Sequence, residues 1–284
     1  MQIGQIELNG RLTAAQILPT GEARPVPGET VRSLIAQADE TGADLASLVS
    51  QRAGDPIPQA ELKIPLEPAE VWGCGCTYET SASFRDAEHG TREGFYAYVY
   101  NKQHRPEIFL KGTSRICVGP GQHIGMRPDA KFTAPEPELA VVLGARGRIM
   151  GYTLSNDVSA WDIERENPLY LPQSKTFSGC VALGPVIVTP EDIKDVYNLE
   201  MSCWIDRETS ILFEGRTSTA RLNRKVEELV EYLLRGNPVP SGTVMMTGTG
   251  IIVTEESALA EGDYVSISIE GFGTLKNRAE RLPR

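Results

Sequence analysis

Two glutamates and one aspartate form the most distinctive chemical pattern in the sequence. Glu136 and Glu138 stand at the start of the apolar run 139–143, and Asp157 follows nineteen residues after Glu138. Residues i and i+2 of a strand point to the same side, and two carboxylates so close repel each other unless a proton or a cation compensates them. A turn at Gly147 would return the chain and place Asp157 beside Glu138, which predicts a site for a hard cation such as Mg²⁺. The alternative is a solvated strand end.

Three further places carry side chains that could bind an anionic or oxygen-rich ligand. Lys111 follows three apolar residues, which would place its ammonium group at a strand end facing the site. Its alternative role is a surface lysine whose stem packs on apolar atoms. Thr247, Gly248 and Thr249 follow another apolar run, and glycine lets backbone N–H groups approach an anion closely, although the segment could be an ordinary turn. Tyr78 could reach a substrate with its hydroxyl group or could only pack in the core.

The composition excludes several classes of protein. The 284 residues contain 28 Lys and Arg against 38 Asp and Glu, a formal net charge of −10. This balance argues against nucleic-acid binding, which requires cationic side chains that neutralise phosphates. No run approaches the roughly 18 apolar residues of a membrane span, and we expect no membrane association. The five cysteines are an odd number and no secretory signal is visible, which predicts reduced thiols in a cytoplasmic protein.

The elements that would position the candidate residues fall into two parts. Residues 1–68 contain two alternating runs around Asn9-Gly10, which predict a β-hairpin. Two short helices separated by Gly42 follow, and a proline-rich stretch then forms a linker. We therefore predict a small N-terminal α/β domain that ends near residue 68.

Residues 69–284 form the predicted catalytic domain. They contain many short β-like runs and one long amphipathic helix at about residues 223–235. A shorter helix is predicted to begin after Thr189 as its N-cap, with Pro190 in the first turn. Strands and helices do not alternate as in a doubly wound sheet. The fold class predicted from these runs is α+β and β-rich.

An ordered series of motifs in the larger part resembles the fumarylacetoacetate hydrolase superfamily. The series is PEPELAVVLG (135–144), GYTLSNDVSAWD (151–162), Lys175 with LGP at 183–185, and TGTG at 247–250. The resemblance covers about residues 70–275. It implies a mixed β-roll fold and a homodimer or a tetramer built from dimers. It also implies that Glu136, Glu138 and Asp157 bind a divalent metal and that Lys175 lies at the substrate.

Four other segments are similar to the branch of this superfamily that dehydrates 2-keto-3-deoxy sugar acids. They are VWGCGCTYE (71–79), RPEIFLKGT (105–113), CVGPG (117–121) and ENPLYLPQSK (166–175). One departure from the hydrolase pattern favours the same branch: Ser81 and Phe84 stand where hydrolase members carry a water-activating His and Glu. A second departure is Trp161, which stands where many members carry Arg and so removes one charge near the metal.

The resemblance implies a lyase that uses Mg²⁺, with Mn²⁺ or Ca²⁺ as alternatives. Its small-molecule substrate is expected to be a 2-keto-3-deoxy acid, in the first place 2-dehydro-3-deoxy-D-arabinonate, which gives 2,5-dioxopentanoate. Lys175 is the candidate base at C3, provided that burial and the metal lower its pKa. The alternative function is a metal-dependent hydrolase of C–C bonds in acylpyruvates or diketo acids. In either case residues 79–104 could form a lid that brings Glu88, His89 or Glu93 into the site.

Overall fold

The computed structural model describes residues 1–58, 60–88 and 94–283. Within these ranges the strands are β1 Gln2–Leu8, β2 Arg11–Ile17, β3 Ala23–Pro25, β4 Leu62–Lys63, β5 Val71–Gly75, β6 Glu107–Gly112, β7 Cys117–Val118, β8 His123–Met126, β9 Thr133–Ala134, β10 Pro137–Leu143, β11 Ile149–Asp157, β12 Ser159–Ala160, β13 Val181–Val188, β14 Glu200–Arg207, β15 Ser210–Ser218, β16 Thr243–Met246, β17 Tyr264–Ile269 and β18 Gly273–Arg281. The α-helices are α1 Val31–Thr41, α2 Leu45–Arg52, α3 Glu79–Glu88, α4 Phe95–Tyr100, α5 Trp161–Glu166, α6 Leu171–Lys175 and α7 Val226–Leu234.

The N-terminal segment forms the predicted hairpin and helix pair. Asn9 and Gly10 at the turn between β1 and β2 have φ angles of 52° and 73°, the left-handed combination that favours a two-residue hairpin. Helix α1 ends at Gly42, whose φ is 70°, and Asp44 caps α2 by accepting the N–H of Ser47. Strand β1 also pairs antiparallel with β13, so this segment extends the main sheet. The division of the chain near residue 68 stays a prediction.

The main sheet brings several strand ends to one edge. Its order is β3-β2-β1-β13-β11-β10-β16-β5-β6, with β4 paired to β1 and β7 to β13. Strands β10 and β11 are antiparallel, and Pro137 pairs with Asn156, which confirms the predicted return strand. Strand β10 is also antiparallel to β16, and β16 is parallel to β5. The beginning of β10 therefore lies beside the ends of β11, β16 and β5.

A second sheet and the main sheet share one apolar core. The second sheet has the order β15-β14-β17-β18-β8, and β18 contacts β13 of the main sheet. One continuous cluster of buried side chains joins Ile3 of β1, Leu139 of β10, Leu34 of α1 and Ile267 of β17. The mixed sheets with short helices confirm the predicted α+β, β-rich class. Among the described helices, none has the length and apolar character of a membrane span.

The long helix is shorter than its sequence pattern predicts. Helix α7 begins at Val226 rather than near residue 223, although its apolar face is buried as expected. The side chains of the two residues before Lys225 instead hold the end of α4 and the residue that follows it. The amide of Asn223 donates to the carbonyl of Tyr100, and Arg224 donates to the carbonyl of Asn101 at 3.0 Å.

The prediction of a helix after Thr189 is wrong. Residues Pro190–Asp192 form a single 3₁₀ turn, and Thr189 makes no capping hydrogen bond with its side chain. The hydroxyl oxygen of Thr189 instead accepts a hydrogen bond from the ammonium group of Met1 at 2.7 Å. A contact so distant in sequence overrides the local capping signal.

Candidate active site

Three carboxylates converge where β10 begins and β11 ends. Glu136 precedes β10, Glu138 lies within it, and Asp157 is the last residue of β11. The backbone N–H of Asp157 donates to the carbonyl of Glu136 at 2.9 Å, which ties the two strand ends together. One carboxylate oxygen from each of the three residues lies within 4.8 Å of the others. The predicted proximity of the three carboxylates is confirmed.

Two buried ammonium groups border the carboxylates. Lys175 ends the short helix α6, and its Nζ lies 2.9 Å from Glu136 Oε1 and 3.5 Å from Asp157 Oδ2. The same ammonium group donates to Ser159 Oγ at 2.6 Å. Lys111 of β6 forms an ion pair with Asp157 Oδ1, so it faces the site as predicted. Since Lys111 and Lys175 are only 0% and 1% exposed, neither is a solvated surface lysine.

A third buried cation extends the charged cluster. Arg85 of α3 pairs with Glu107 at 3.0 Å and with Glu164 of α5 at 2.9 Å. The second carboxylate oxygen of Glu164 lies 3.7 Å from the Nζ of Lys175, so the guanidinium and ammonium groups share one carboxylate. Sequence reasoning missed these ion pairs. The signal for Arg85 and Glu107 was weak, since it consisted only of their nearness in sequence to Tyr78 and Lys111.

Burial and neighbouring charges shift the pKa values of the three clustered carboxyl groups. Burial raises the pKa of Glu138 well above its usual range, and the charges of Asp157 and Glu136 raise it further. Burial also raises the pKa of Glu136, although Lys175 acts in the opposite direction. For Asp157, burial is outweighed by the ammonium groups of Lys111 and Lys175, which hold its pKa below the ordinary value. Two of the three carboxyl groups thus resist ionisation unless a cation compensates them.

The lysine predicted as a base is an ammonium group in this arrangement. Burial alone lowers the pKa of Lys175, but Asp157, Glu136 and Glu164 outweigh that effect and raise it. The predicted lowering of this pKa by burial is therefore reversed by the neighbouring carboxylates. A role as base requires that the negative charge around the ammonium group be compensated.

The donor set fits a divalent metal ion. Among the described residues, a connected cluster combines five carboxyl groups and three cations, which leaves two negative charges uncompensated when all five carboxyl groups are ionised: Glu107, Glu136, Glu138, Asp157 and Glu164 against Arg85, Lys111 and Lys175. One Mg²⁺ carries the compensating charge, and carboxylate oxygens are its preferred protein ligands. Glu136, Glu138 and Asp157 would hold it, since within the described part of the chain these three bring their carboxylate oxygens within 4.8 Å of one another.

The segment after β16 lies beside the carboxylates, but much of its hydrogen bonding is internal. The N–H of Gly248 donates to Glu138 Oε2 at 2.5 Å, so it orients a carboxylate instead of facing a ligand. A Cβ at Gly248, whose φ is 94°, would lie 2.0 Å from Thr77 Oγ1, so the position requires glycine. Thr247 donates its hydroxyl to a carbonyl of β10 at 2.7 Å, and Thr249 lines a cleft. Their roles in binding stay predictions.

Tyr78 immediately precedes α3 and is 2% exposed. Burial, followed by the charge of Glu138, raises its pKa. The residue therefore packs in the core within electrostatic reach of the carboxylates, and its predicted contact with substrate stays a prediction.

The predicted lid segment contains helices α3 and α4. The candidates His89 and Glu93 and the side chain of Glu88 lie outside the described residues. His104 stacks on Tyr98 with ring centroids 3.6 Å apart. The entry of Glu88, His89 or Glu93 into the site therefore stays a prediction.

A cleft beside Glu136 contains all the positions at which the sequence departs from the hydrolase pattern. Phe84 and Trp161 stack with ring centroids 5.4 Å apart and an interplanar angle of 20°. Both rings and Ser81 line the cleft together with Glu136 and Thr249. A phenyl ring and a serine hydroxyl thus stand where a water-activating pair is expected, and a phenyl ring cannot accept a proton.

The β-rich fold, the carboxylates at one sheet edge and the buried lysine define the class of protein. The chain belongs to the fumarylacetoacetate hydrolase family, because the family profile described as "Fumarylacetoacetate (FAA) hydrolase C-terminal" matches residues 86–280. The resemblance drawn from the sequence motifs is confirmed.

Individual relatives narrow the comparison. The chain is 45% identical over 238 residues to a 2-dehydro-3-deoxy-D-arabinonate dehydratase of Saccharolobus solfataricus. The aligned region covers 83% of this chain and 78% of the relative. It is similar to a solved structure described as 2-keto-3-deoxy-D-arabinonate dehydratase complexed with magnesium and 2,5-dioxopentanoate, with a TM-score of 0.85, 38% identity and 100% of both chains covered. A mitochondrial oxaloacetate tautomerase of Rattus norvegicus is 32% identical over 61% of this chain and 58% of the relative.

Proposed function

We propose that this protein is a Mg²⁺-dependent hydro-lyase that converts 2-dehydro-3-deoxy-D-arabinonate into 2,5-dioxopentanoate and water. The proposal is carried by the carboxylate triad beside the buried Lys175, in a chain 45% identical to a dehydratase. The similar structure that contains magnesium and 2,5-dioxopentanoate supports the identity of the metal and the product.

The reaction needs a base for one hydrogen at C3 and an exit for the hydroxyl group at C4. Loss of both releases water and leaves a conjugated 2-keto acid. That acid tautomerises to 2,5-dioxopentanoate: it loses one hydrogen from C5 and the proton of the C5 hydroxyl group and gains one hydrogen at C3 and one at C4, so that the C5 carbinol becomes an aldehyde. A Mg²⁺ ion held by Glu136, Glu138 and Asp157 supplies a Lewis acid that makes the C3 hydrogen more acidic.

Lys175 is the proton carrier in this proposal. Its Nζ is held by Ser159 Oγ at 2.6 Å and Glu136 Oε1 at 2.9 Å, so the nitrogen has a fixed place beside the triad. A donor or acceptor that is already oriented lowers the barrier, because its freedom of motion does not have to be lost again in each turnover. Phe84 and Trp161 add an apolar wall to the adjoining cleft, which limits the access of water to the reacting carbons.

The direct test is incubation of the protein with Mg²⁺ and each substrate class. We expect an aldehyde from 2-dehydro-3-deoxy-D-arabinonate and loss of that product in EDTA. In D₂O we also expect deuterium at C3 of 2-oxobutanoate, which has the keto acid group but no C4 hydroxyl. Release of pyruvate from an acylpyruvate, without aldehyde from the sugar acid, would establish the hydrolase alternative instead.

We also propose that the protein acts in the cytoplasm as a homodimer or a tetramer built from dimers. All five cysteines lie within the described residues and are free thiols, which supports a reducing compartment. Leu110, Leu169 and Ile211 are apolar side chains with 53%, 84% and 61% exposure, and an interface between copies would bury such groups. Light scattering of the purified protein measures the oligomeric state, and a monomeric mass would exclude this part of the proposal.

A further inference from the structure

Two carboxylates of the triad Glu136, Glu138 and Asp157 each have one oxygen engaged by a donor of the protein. Glu136 Oε1 accepts a hydrogen bond from the Nζ of Lys175 at 2.9 Å. Glu138 Oε2 accepts the backbone N–H of Gly248 at 2.5 Å. In both side chains the other oxygen is therefore the better placed one for a metal ion.

The third carboxylate, Asp157, faces two ammonium groups. Its Oδ1 atom forms the ion pair with Lys111. Its Oδ2 atom lies 3.5 Å from the Nζ of Lys175, which is a long and weak contact. Oδ1 is thus the oxygen committed to a cation of the protein, and Oδ2 is the oxygen that a metal ion can take.

The ammonium group of Lys111 is fixed in this place. The side chain is 0% exposed, and its Nζ also donates to the carbonyl of Val158 at 3.1 Å and lies 5.9 Å from the centroid of the Phe177 ring. The backbone carbonyl of Lys111 accepts the hydroxyl of Thr176 at 2.9 Å, which holds β6 at this residue. Withdrawal of the ammonium group from Asp157 would leave a buried charge without its partner, which is costly.

Mg²⁺ and Ca²⁺ differ in the number of carboxylate oxygens that they take. Ca²⁺ binds about six to eight oxygens and often both oxygens of one carboxylate, whereas Mg²⁺ binds about six in a strict octahedron and keeps several waters. A cation bound by both oxygens of Asp157 would lie close to the ammonium group of Lys111, and the two positive charges would repel each other. One oxygen from each of three carboxylates therefore suits Mg²⁺ better than Ca²⁺.

We propose that Lys111 makes the triad selective for Mg²⁺ over Ca²⁺, because it occupies Oδ1 of Asp157 and so limits that carboxylate to one metal-binding oxygen. Lys111 is a positioning residue in this inference, since it acts on the metal through Asp157. The net charge of the cluster cannot produce such a preference, because both ions are divalent. This inference rests on the proposed function, which requires that the triad bind Mg²⁺.

The test measures the Kd of Mg²⁺ and the Kd of Ca²⁺ by calorimetry in the absence of substrate. For the wild type we expect tighter binding of Mg²⁺. Lys111→Met keeps an apolar stem but frees Oδ1, so the ratio of the Ca²⁺ Kd to the Mg²⁺ Kd should fall by about tenfold or more, equivalent to about 1.4 kcal/mol or more. Lys111→Gln should give a smaller fall, because its amide can still donate to Asp157, and it keeps the comparison readable if methionine destabilises the fold.

Lys276→Met is the matched control. It removes the same group from β18, where the side chain is 52% exposed and lies 3.6 Å from Asp206, and its Kd ratio should equal that of the wild type. A ratio within about twofold of wild type in both Lys111 variants would overturn the inference while leaving the proposed function intact. Tighter binding of Ca²⁺ than of Mg²⁺ by the wild type would have the same consequence. Absence of Mg²⁺ binding by the wild type would overturn the proposed function and this inference with it.

Discussion

Removing one charge from the triad should stabilise the metal-free protein and abolish its response to Mg²⁺. Glu138 is 2% exposed, and its carboxylate lies within 4.8 Å of ligand atoms from Glu136 and Asp157. Its charge is therefore both buried and repelled when no metal compensates it. Glu138→Gln keeps the side-chain shape, its amide oxygen can still accept the N–H of Gly248, and its amide N–H groups can donate to a neighbouring carboxylate.

The size of the effect follows from the spacing of the charges. Two unit charges 4.8 Å apart repel by about 3.5 kcal/mol at an effective dielectric constant of about 20. The ammonium groups of Lys111 and Lys175 offset part of this repulsion, so we expect a net gain in unfolding free energy of about 1–3 kcal/mol. At about 2 °C per kcal/mol for a chain of this size, the Tm without metal should rise by about 2–6 °C. The wild type should gain a similar amount, about 2.7 kcal/mol, from Mg²⁺ at 100 times its Kd.

The stabilisation by Glu138→Gln should depend on pH with a definite sign. Burial raises the pKa of Glu138 in the folded protein above its unfolded value, so the folded state binds the additional proton. The wild type is therefore not penalised below the ordinary carboxylate pKa, and its deficit grows as the pH rises through the raised pKa. The difference in Tm between variant and wild type should vanish at acidic pH and be full at alkaline pH.

Thermal unfolding in EDTA and in saturating Mg²⁺, followed by circular dichroism at several pH values, measures these effects. Glu270→Gln, which removes an exposed carboxylate, should change neither the Tm nor its response to Mg²⁺. A lower Tm for Glu138→Gln in EDTA at alkaline pH would refute the argument from buried repulsion. An unchanged Mg²⁺ response of that variant would refute the assignment of Glu138 as a ligand.

Three further predictions concern the same cluster. Lys175→Met should lower kcat by about 10²- to 10⁴-fold, because it removes a proton carrier, while the Tm shift with Mg²⁺ persists; a higher KM with unchanged kcat would show a substrate clamp instead. Arg85→Met should lower the unfolding free energy, measured by urea denaturation, by about 3–5 kcal/mol, because it removes the guanidinium that pairs with the buried Glu164. Arg85→Lys should recover part of this loss, and wild-type stability of both variants would contradict the prediction. The affinity for Mg²⁺, measured by calorimetry in two buffers, should fall with decreasing pH, and Mg²⁺ binding should release protons. The reason is that the raised pKa values of Glu136 and Glu138 let protons compete with the metal for these carboxylates. Binding without proton release would contradict the raised pKa values.

The metal ligands could be predicted because they are local in the sequence. The two-residue period of a strand places Glu136 and Glu138 together, and one hairpin turn returns the chain to Asp157. The β-hairpin at Asn9-Gly10 and the apolar face of α7 were predictable for the same reason, since each depends on neighbouring residues alone. Local rules fail where a distant group intervenes, as with the hydroxyl of Thr189, which binds the N-terminal ammonium group instead of capping a helix.

The ion pairs behind the ligands could not be predicted from spacing. Arg85, Glu107 and Glu164 lie on three elements, α3, β6 and α5, and only the folded chain brings them together. The burial of Lys111 and Lys175 was equally hidden, because a lysine after apolar residues is also typical of a surface side chain. Such a lysine is buried only where the fold places carboxylates beside its ammonium group; otherwise it stays on the surface.

The charged cluster is better explained by function than by stability. Well-packed apolar side chains in place of a buried ion cluster are often neutral or stabilising, and burial, together with repulsion from the neighbouring carboxylates, raises the pKa values of Glu136 and Glu138. The fold nevertheless contains a specific feature that holds one of these carboxylates. The N–H of Gly248 donates a hydrogen bond to Glu138, and a side chain at position 248 would clash with its surroundings. The same excess of two negative charges that weakens the metal-free protein gives a divalent cation its binding energy. The Mg²⁺ response of the Tm and the catalytic competence of the site should therefore be lost together when a ligand is neutralised.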